Sequence, residues 1–267
     1  MLPLAEKMKV VAVGNQKGGV GKTTTALNLS AALAARGQRV LLIDLDPQAN
    51  TTSGLGVECE GEDTVYPSLI SDHDVRSCIR ETGRDRLWLI PSHMDLAGVE
   101  IELARSDDHL TRLRGILQGL KPNDLFEYCI LDTPPSLGVL MTSALAAADE
   151  VLVPLQCEWY GLEGLAKIVR VIDEIRDSGA SPALRIEGIV MTMFDNRTNL
   201  ARQVIEEVKN YFPQELYTTV IPRTVRISEA PSHSKTILEH DPTGTGATSY
   251  LSLAEEFLAR HGVAAGV

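Results

Sequence analysis

One glycine-rich turn constrains the fold of this chain more than any other feature. Residues 10–13 are a short run of apolar, mostly β-branched side chains, and residues 22–35 carry apolar side chains at helical spacing. Between them stands Lys-Gly-Gly-Val-Gly-Lys-Thr, residues 17–23. A strand, a glycine-rich turn and the start of a helix, in this order, form a phosphate-binding loop, which belongs to α/β proteins.

The rest of the chain repeats this alternation of apolar runs and helical periods. Strands are predicted at residues 10–13, 40–43, 87–90, 128–131, 151–154, 186–192 and 218–221, and helices at 22–35, 98–105, 108–120, 137–147, 162–177, 200–211 and 247–260. Two stretches, 54–67 and 231–246, are expected to be long loops. The pattern predicts an α/β fold, a doubly wound and mostly parallel sheet with helices on both faces. No linker composition divides the chain, so we expect one domain, 1–267, with 1–8 a short extension.

The turn itself predicts how phosphate is held. Its glycines let successive backbone N–H groups point at phosphate oxygens, and the helix N-terminus adds partial positive charge. Lys22 would reach the β- and γ-phosphates, and the Thr23 hydroxyl would bind Mg²⁺. The motif departs from the usual one, because Gln16 stands where a glycine is required and an extra lysine, Lys17, precedes the glycines. The predicted loop residues are Lys17, Gly18, Gly19, Val20, Gly21, Lys22 and Thr23.

Three aspartates follow predicted strands. Asp44 and Asp46 come after the strand at 40–43, and Asp132 comes after the strand at 128–131. Ligands of open α/β sheets bind at the carboxyl ends of the strands, where these residues would meet the loop. Mg²⁺ keeps several waters, so Asp132 could act on it through one of them. Taken alone, an aspartate after a strand is as often a turn residue.

Together these motifs resemble the deviant Walker A ATPases and are most similar to the ParA/Soj chromosome-partitioning ATPases. The resemblance also includes 49–56, 193–198, 221–226 and 228–232, and it covers the chain from about residue 9 to 260. It implies a site for ATP and Mg²⁺, with hydrolysis that is slow and depends on an ATP-bound sandwich homodimer. Lys17 would reach the partner subunit's nucleotide, and Gly18 would permit the close approach of the two subunits.

The resemblance also assigns roles inside one subunit. Asp46 would orient or activate the attacking water, so that Asp46, Lys17 and Lys22 are the catalytic candidates. Thr23, Asp44 and Asp132 would organise Mg²⁺ and its waters. Thr24 would touch the α-phosphate, and Met193 and Pro222 would pack against adenine.

Charge limits how such a protein could bind nucleic acid. The net charge of −11 argues against a surface that grips polyanions everywhere, but residues 185–235 carry a balance of +1. The resemblance implies non-specific binding of double-stranded DNA in the ATP state through Arg197 and Arg226. Further cations could join them: Arg202, Lys209, Arg223 and Lys235. From composition alone, ordinary solvated arginines are the simpler interpretation. Only about eight residues precede the first strand, so no separate DNA-binding domain is expected there.

The expected function is an ATP-dependent switch that segregates a chromosome or plasmid, cytoplasmic and nucleoid-associated. A ParB-like (Spo-zero-J-like) centromere-binding protein would stimulate hydrolysis and release the DNA. One alternative is a MinD-like membrane-cycling ATPase, although Glu255 and Glu256 make the last helix a poor membrane anchor. Another is a metabolic P-loop ligase of the dethiobiotin synthetase type, with residues 158–160 as a substrate wall. A nitrogenase-iron-protein-like carrier would need paired cysteines, and the four cysteines lie far apart.

Overall fold

Strands and helices alternate along most of the chain in the computed structural model, which describes residues 8–103, 109–120 and 125–263. The strands are β1 (Lys9–Val13), β2 (Val40–Asp44), β3 (Arg80–Arg84), β4 (Leu87–Ile90), β5 (Tyr128–Asp132), β6 (Glu150–Gln156), β7 (Arg185–Phe194) and β8 (Leu216–Pro222). The helices are α1 (Lys22–Ala35), α2 (Asn50–Gly54), α3 (Tyr66–Ile70), α4 (Leu96–Leu103), α5 (Arg112–Leu120), α6 (Val139–Ala147), α7 (Trp159–Asp177), α8 (Asn199–Tyr211), α9 (Val225–Glu229), α10 (Ile237–His240) and α11 (Thr245–Arg260).

The eight strands form one sheet in the order β3-β4-β2-β5-β1-β6-β7-β8. All neighbouring pairs are parallel except β3 and β4, which form an antiparallel hairpin at one edge. Because β1 lies between β5 and β6, the chain winds outward from the centre in both directions. The predicted α/β fold with a doubly wound, mostly parallel sheet is confirmed.

Apolar side chains cover both faces of the sheet. Along β1, Val10 and Ala12 belong to a core beneath the helices α4 to α8, whereas Val11 and Val13 belong to a second core beneath α1 and α11. The central strands are therefore buried on both sides, which is why they are continuous apolar runs rather than alternating ones. The sheet holds the loops at its carboxyl edge in fixed positions.

The structure corrects the predicted element list at several points. Strand β3, sequence RETGR, was not predicted because it is short, polar and interrupted by a register shift. The expected loop at 231–246 contains a 3₁₀ turn and the short helix α10, and the expected loop at 54–67 contains another 3₁₀ turn and the start of α3. Helices α2 and α9 were also missed. Residues 104, 105 and 108, predicted to be helical, lie outside the described part of the chain.

Candidate nucleotide-binding site

The glycine-rich turn adopts the conformation that its sequence predicts. Gly19 and Gly21 have φ angles of 74° and 86°, a region that side chains other than glycine rarely adopt, and α1 begins directly after Gly21. The buried Asn15 holds the start of the turn, since its Nδ2 donates to the Pro154 carbonyl at 2.8 Å and its Oδ1 accepts from Lys17 N at 3.0 Å. The turn and the start of α1 thus line one cavity.

Lys22 lies inside this cavity with its side chain largely buried. Its Nζ is 3.4 Å from the Lys17 carbonyl oxygen. Burial lowers the pKa of Lys22, and the nearby charges of Asp132 and Asp46 act in the opposite direction. The ammonium group of Lys22, whose one hydrogen bond given by the described residues is to a carbonyl oxygen, is suited to bind anionic phosphate oxygens.

The sheet brings Asp44 and Asp132 together. They end the adjacent parallel strands β2 and β5, and their Cα atoms are paired in register. Both side chains are fully buried. Burial raises the pKa of each carboxyl group, and for Asp132 the charge of Asp44 raises it further. Two carboxylates this close and this buried favour a cation beside them.

Two threonines of α2 position these carboxylates, and the sequence analysis gave neither a role. Thr52 donates to Asp44 Oδ2 from both its N–H (2.9 Å) and its hydroxyl (2.8 Å), and Thr51 donates to Asp132 Oδ2 at 2.7 Å. Both are buried. The consecutive threonines after an Asp-Pro-Gln sequence were a usable signal, because buried hydroxyl groups need acceptors and the nearest predicted ones were these aspartates.

The two carboxylates differ in what remains available for a ligand. Asp44 accepts three hydrogen bonds from Asp46 N and Thr52. Asp132 Oδ1 is buried and has no hydrogen-bond partner among the residues that the structure describes. Within those residues no three His, Cys, Asp or Glu side chains are arranged to hold a metal ion by themselves. This donor set fits an ion such as Mg²⁺ that keeps its waters and takes oxygens from phosphates and from Thr23.

Asp46 reaches the same cavity from the end of β2. Its Oδ1 accepts from Gln48 N at 2.9 Å, and the side chain is buried but lines the cavity wall. The cavity measures about 390 Å³. Its walls combine the predicted phosphate-binding and catalytic residues: Gly18, Gly19, Gly21, Lys22, Thr23, Thr24 and Asp46.

A second cavity of about 410 Å³ shares the Gly21, Thr24 and Met193 walls of the first. Its other walls include Pro222, Arg223 and Tyr250. Met193, with a φ angle of 52°, stands at the junction of the two cavities. Met193 and Pro222 therefore lie where a base attached to loop-bound phosphates would sit, although their contact with adenine stays a prediction.

Lys17 is not among the residues that line the phosphate cavity and lines a separate pocket with Tyr160 and Glu163. Its Nζ forms an ion pair with Glu158 Oε2 of the same chain at 3.1 Å. Beside it, Gly18 has open space, because a Cβ atom added there would meet only Pro135 Cβ, at 3.9 Å. Nothing near it within the described chain requires a glycine at position 18.

The structure brings some of the predicted DNA-binding cations together. Arg197 forms an ion pair with Asp195, whose pKa is also lowered by the charge of Arg223. Arg202 donates to the Asn196 carbonyl, so three arginines surround the loop after β7. Arg226 lies on α9, just beyond Arg223, and pairs with Glu229. Lys209 and Lys235 are both exposed, and among the described residues neither side chain forms a hydrogen bond or ion pair with this group.

Comparison with known proteins identifies the family. A family model described as an AAA domain matches residues 8–186. The sporulation initiation inhibitor protein Soj of Bacillus subtilis is 50% identical over 252 residues, which are 94% of this chain and 98% of that protein. The chain belongs to the ParA/Soj family of chromosome-partitioning ATPases. Another member, the chromosome partitioning protein ParA of Myxococcus xanthus, is 46% identical and covers 94% of this chain and 88% of its own length.

Solved structures extend the ParA/Soj comparison to the fold. Cobyrinic acid a,c-diamide synthase from Mycobacterium smegmatis, solved with ADP and magnesium, is 32% identical with a TM-score of 0.82, covering 97% of this chain and 99% of its own. Apo McdA from Cyanothece is 26% identical with a TM-score of 0.85, covering 94% and 99%. The fold of this ParA/Soj protein thus also occurs in proteins with other names.

The cysteines, the helix lengths and the packing of the last helix complete the description of the chain. None of the four cysteines forms a disulfide bond within the described part of the chain, and three of them are buried. No helix in the described ranges is long and apolar enough to cross a membrane. The apolar face of α11 is packed on the domain, since Tyr250, Leu253, Phe257 and Leu258 are buried.

Proposed function

We propose that this protein is an ATP-dependent DNA-partitioning switch, a cytoplasmic and nucleoid-associated ATPase. ATP and Mg²⁺ bind at the glycine-rich loop and drive formation of a sandwich homodimer. The dimer binds double-stranded DNA without sequence preference. A ParB-like (Spo-zero-J-like) centromere-binding protein stimulates hydrolysis and releases the DNA, so that a chromosome or plasmid is segregated.

The observation that carries the proposal is the wall shared by the nucleotide cavity and the arginine-bearing segment. The cavity lined by Gly21 and Thr24 of the loop is also lined by Arg223 and by Val225, which begins α9. A nucleotide in this cavity would contact the backbone that carries Arg223 and Arg226. This shared wall is what nucleotide-dependent DNA binding requires. A nucleotide can shift the protein between DNA-binding and non-binding states only through contacts that differ between those two states.

Lys17 and Gly18 support the dimer. Lys17 is partly exposed and pairs with Glu158 outside the cavity, so it does not serve hydrolysis within its own subunit in this arrangement; inserted into a partner's closed site, it would neutralise charge on the phosphates. Since the chain itself leaves room for a side chain at position 18, the need for a glycine there would come from the close approach of a partner subunit. The Arg197 and Arg223 cluster would be doubled by a twofold dimer, which raises avidity for a polyanion.

The experiment is a mass measurement by light scattering with ATP and Mg²⁺, ADP, or no nucleotide. We expect a dimer only with ATP for the wild type, and a monomer in every state for Gly18→Val and Lys17→Ala, both still binding ATP. A wild type that stays monomeric with ATP would contradict the proposal, as would a dimer that forms equally well in the Gly18→Val variant.

A metabolic ligase is the second candidate, favoured by the 32% identity to cobyrinic acid a,c-diamide synthase. Residues 158–160 give it little support, because Trp159 and Tyr160 are each 69% exposed and Glu158 pairs with Lys17. ATP turnover that requires a small carboxylic acid and is indifferent to DNA would favour the ligase.

A further inference from the structure

The side chain of Arg84, on the edge strand β3, connects two segments that are distant in sequence. Its Nη1 donates to the Leu55 carbonyl at 3.1 Å, just after α2, and its Nη2 donates to the Ser234 carbonyl at 2.8 Å. Its Nε donates to Glu239 Oε2, on α10, at 2.9 Å. The Arg84 side chain is only 16% exposed, whereas the side chain of Glu239 is 41% exposed.

The first of these segments holds the carboxylates of the site. Helix α2 carries Thr51 and Thr52, which donate to Asp132 and Asp44. A rearrangement of those carboxylates around an ion and a γ-phosphate would therefore displace α2. Leu55, which Arg84 holds, is the residue that follows the helix.

The second segment, residues 230–240, adjoins the predicted DNA-binding arginines. Helix α9, which carries Arg226, ends directly before it. Glu229, the partner of Arg226, also lies 3.8 Å from His240 Nε2 at the end of α10. Glu239 caps the start of α10 by accepting from Thr236 N at 2.7 Å. Any movement of 230–240 would be transmitted to the arginine-bearing helix.

Close packing keeps the two segments in register. A Cβ atom on Gly56 would lie 2.8 Å from Ser234 Cβ, and one on Gly54 would lie 3.5 Å from Pro231 Cβ and 3.1 Å from Leu27 Cδ1. Backbones this close cannot slide past each other independently, because interfaces of packed atoms do not deform continuously.

We propose that Arg84 is a positioning residue that couples α2, and with it the γ-phosphate side of the site, to residues 230–240 and the arginines beside them. The proposal rests on the proposed function for its DNA-binding consequence, but the coupling within one chain does not. Arg84 touches neither nucleotide cavity, so it acts through the two segments that it joins.

The test compares Arg84→Ala with Arg86→Ala, a matched control on the same hairpin that removes the same charge and loses a bond to the Gly37 carbonyl instead. The readout is hydrogen exchange of residues 230–240 with a non-hydrolysable ATP analogue and with ADP, both with Mg²⁺. Adenine is common to both ligands, so the difference between them reports the γ-phosphate. Light scattering on the same samples shows whether the dimer is retained.

We expect an ATP-versus-ADP difference in 230–240 for the wild type and Arg86→Ala, and its loss in Arg84→Ala with dimerisation unchanged. The ratio of DNA affinities in the two nucleotide states should fall about tenfold in Arg84→Ala, within the usual range of coupling between sites. Arg84→Lys should give an exchange difference between those of the wild type and Arg84→Ala, because an ammonium group cannot bond both carbonyl oxygens. If Arg84→Ala does not fold, Arg84→Lys is the variant that tests the proposal.

A full exchange difference in folded Arg84→Ala, or none in the wild type, would overturn the coupling. A wild type that shows the exchange difference but binds no DNA in any state would overturn the proposed function and leave the coupling standing.

Discussion

Lys17 Nζ lies 3.1 Å from Glu158 Oε2 of its own chain. The lysine expected to serve a partner subunit's nucleotide is therefore paired within its own subunit. Both side chains are partly exposed, 30% and 47%, so water and salt weaken the pair. Breaking it is a small cost of dimerisation in the proposed cycle.

Glu158→Gln should favour the ATP-bound dimer. An exposed ion pair contributes about 0–1 kcal/mol and each dimer breaks two of them, so the protein concentration at half-maximal dimerisation should fall by up to about 30-fold. The measurement is light scattering with ATP across a dilution series. Glu163→Gln is the matched control, since it breaks the pair with Lys167 on the same helix and should change nothing. A weaker dimer in Glu158→Gln would contradict this view of the pair.

Asp46→Ala should trap the ATP-bound dimer on DNA. Asp46 lines the phosphate cavity, and loss of a group that orients or activates water slows hydrolysis by about 10²-fold or more. Phosphate release and DNA retention after ATP addition measure the two effects. Wild-type hydrolysis by this variant would refute the role assigned to Asp46.

Thr52→Val should destabilise the fold and reduce hydrolysis together. The substitution removes a hydroxyl that donates to the buried Asp44, and losing a hydrogen bond to a charged group costs about 1.5–3 kcal/mol. Urea unfolding and phosphate release measure the outcome. Ser53→Ala is the control, because the exposed Ser53 hydroxyl bonds only its own helix. Equal stability of Thr52→Val and wild type would contradict the assigned contact.

Acid should destabilise the fold through Glu150, far from the nucleotide cavity. Burial alone would raise its pKa, but bonds from His261 and Arg185 and the charge of Lys9 lower it to about 2. The folded value lies below the unfolded 4.5, so the stabilisation is present above pH 4.5 and is lost as the pH falls toward 2. The full effect is about 3 kcal/mol.

Urea unfolding of the wild type and Glu150→Gln at pH 7 and pH 3 measures this contribution. The difference in stability between the two proteins should be large at pH 7 and should shrink at pH 3. A difference that does not change with pH would show that the ion pairs of Glu150 contribute nothing to the loss of stability in acid.

The sequence predicted those parts of the fold that local patterns determine. The buried strands and their helices follow from apolar runs and helical periods, and Gly19 and Gly21 follow from the turn they must make. Strand β3 was not predicted because RETGR has no alternation of apolar and polar side chains, and its pairing with β4 depends on the two-residue turn at 85–86. Helix α10 was not predicted because four residues are too few to show a helical period of apolar side chains, although Thr236 and Glu239 form a capping box.

The candidate site shows the same division. Asp44, Asp46 and Asp132 could be placed at one edge because parallel strands end together there. The pairing of Thr51 with Asp132 and the bonds of Arg84 could not be assigned, since each depends on which distant carboxylate or carbonyl oxygen lies opposite. Such pairings are set by tertiary packing across 81 and 150 residues of chain.

The central claim is tested most directly by DNA binding of the wild type and of Arg197→Ala/Arg226→Ala, with ATP and Mg²⁺, with ADP, and without nucleotide, each at two salt concentrations. Arg76→Ala/Arg86→Ala is the control for lost charge. The account predicts wild-type binding only with ATP, weakening steeply with salt because phosphate contacts release counterions. The Arg197→Ala/Arg226→Ala variant should dimerise but not bind. Binding that is independent of nucleotide, or absent in every state, would contradict the account.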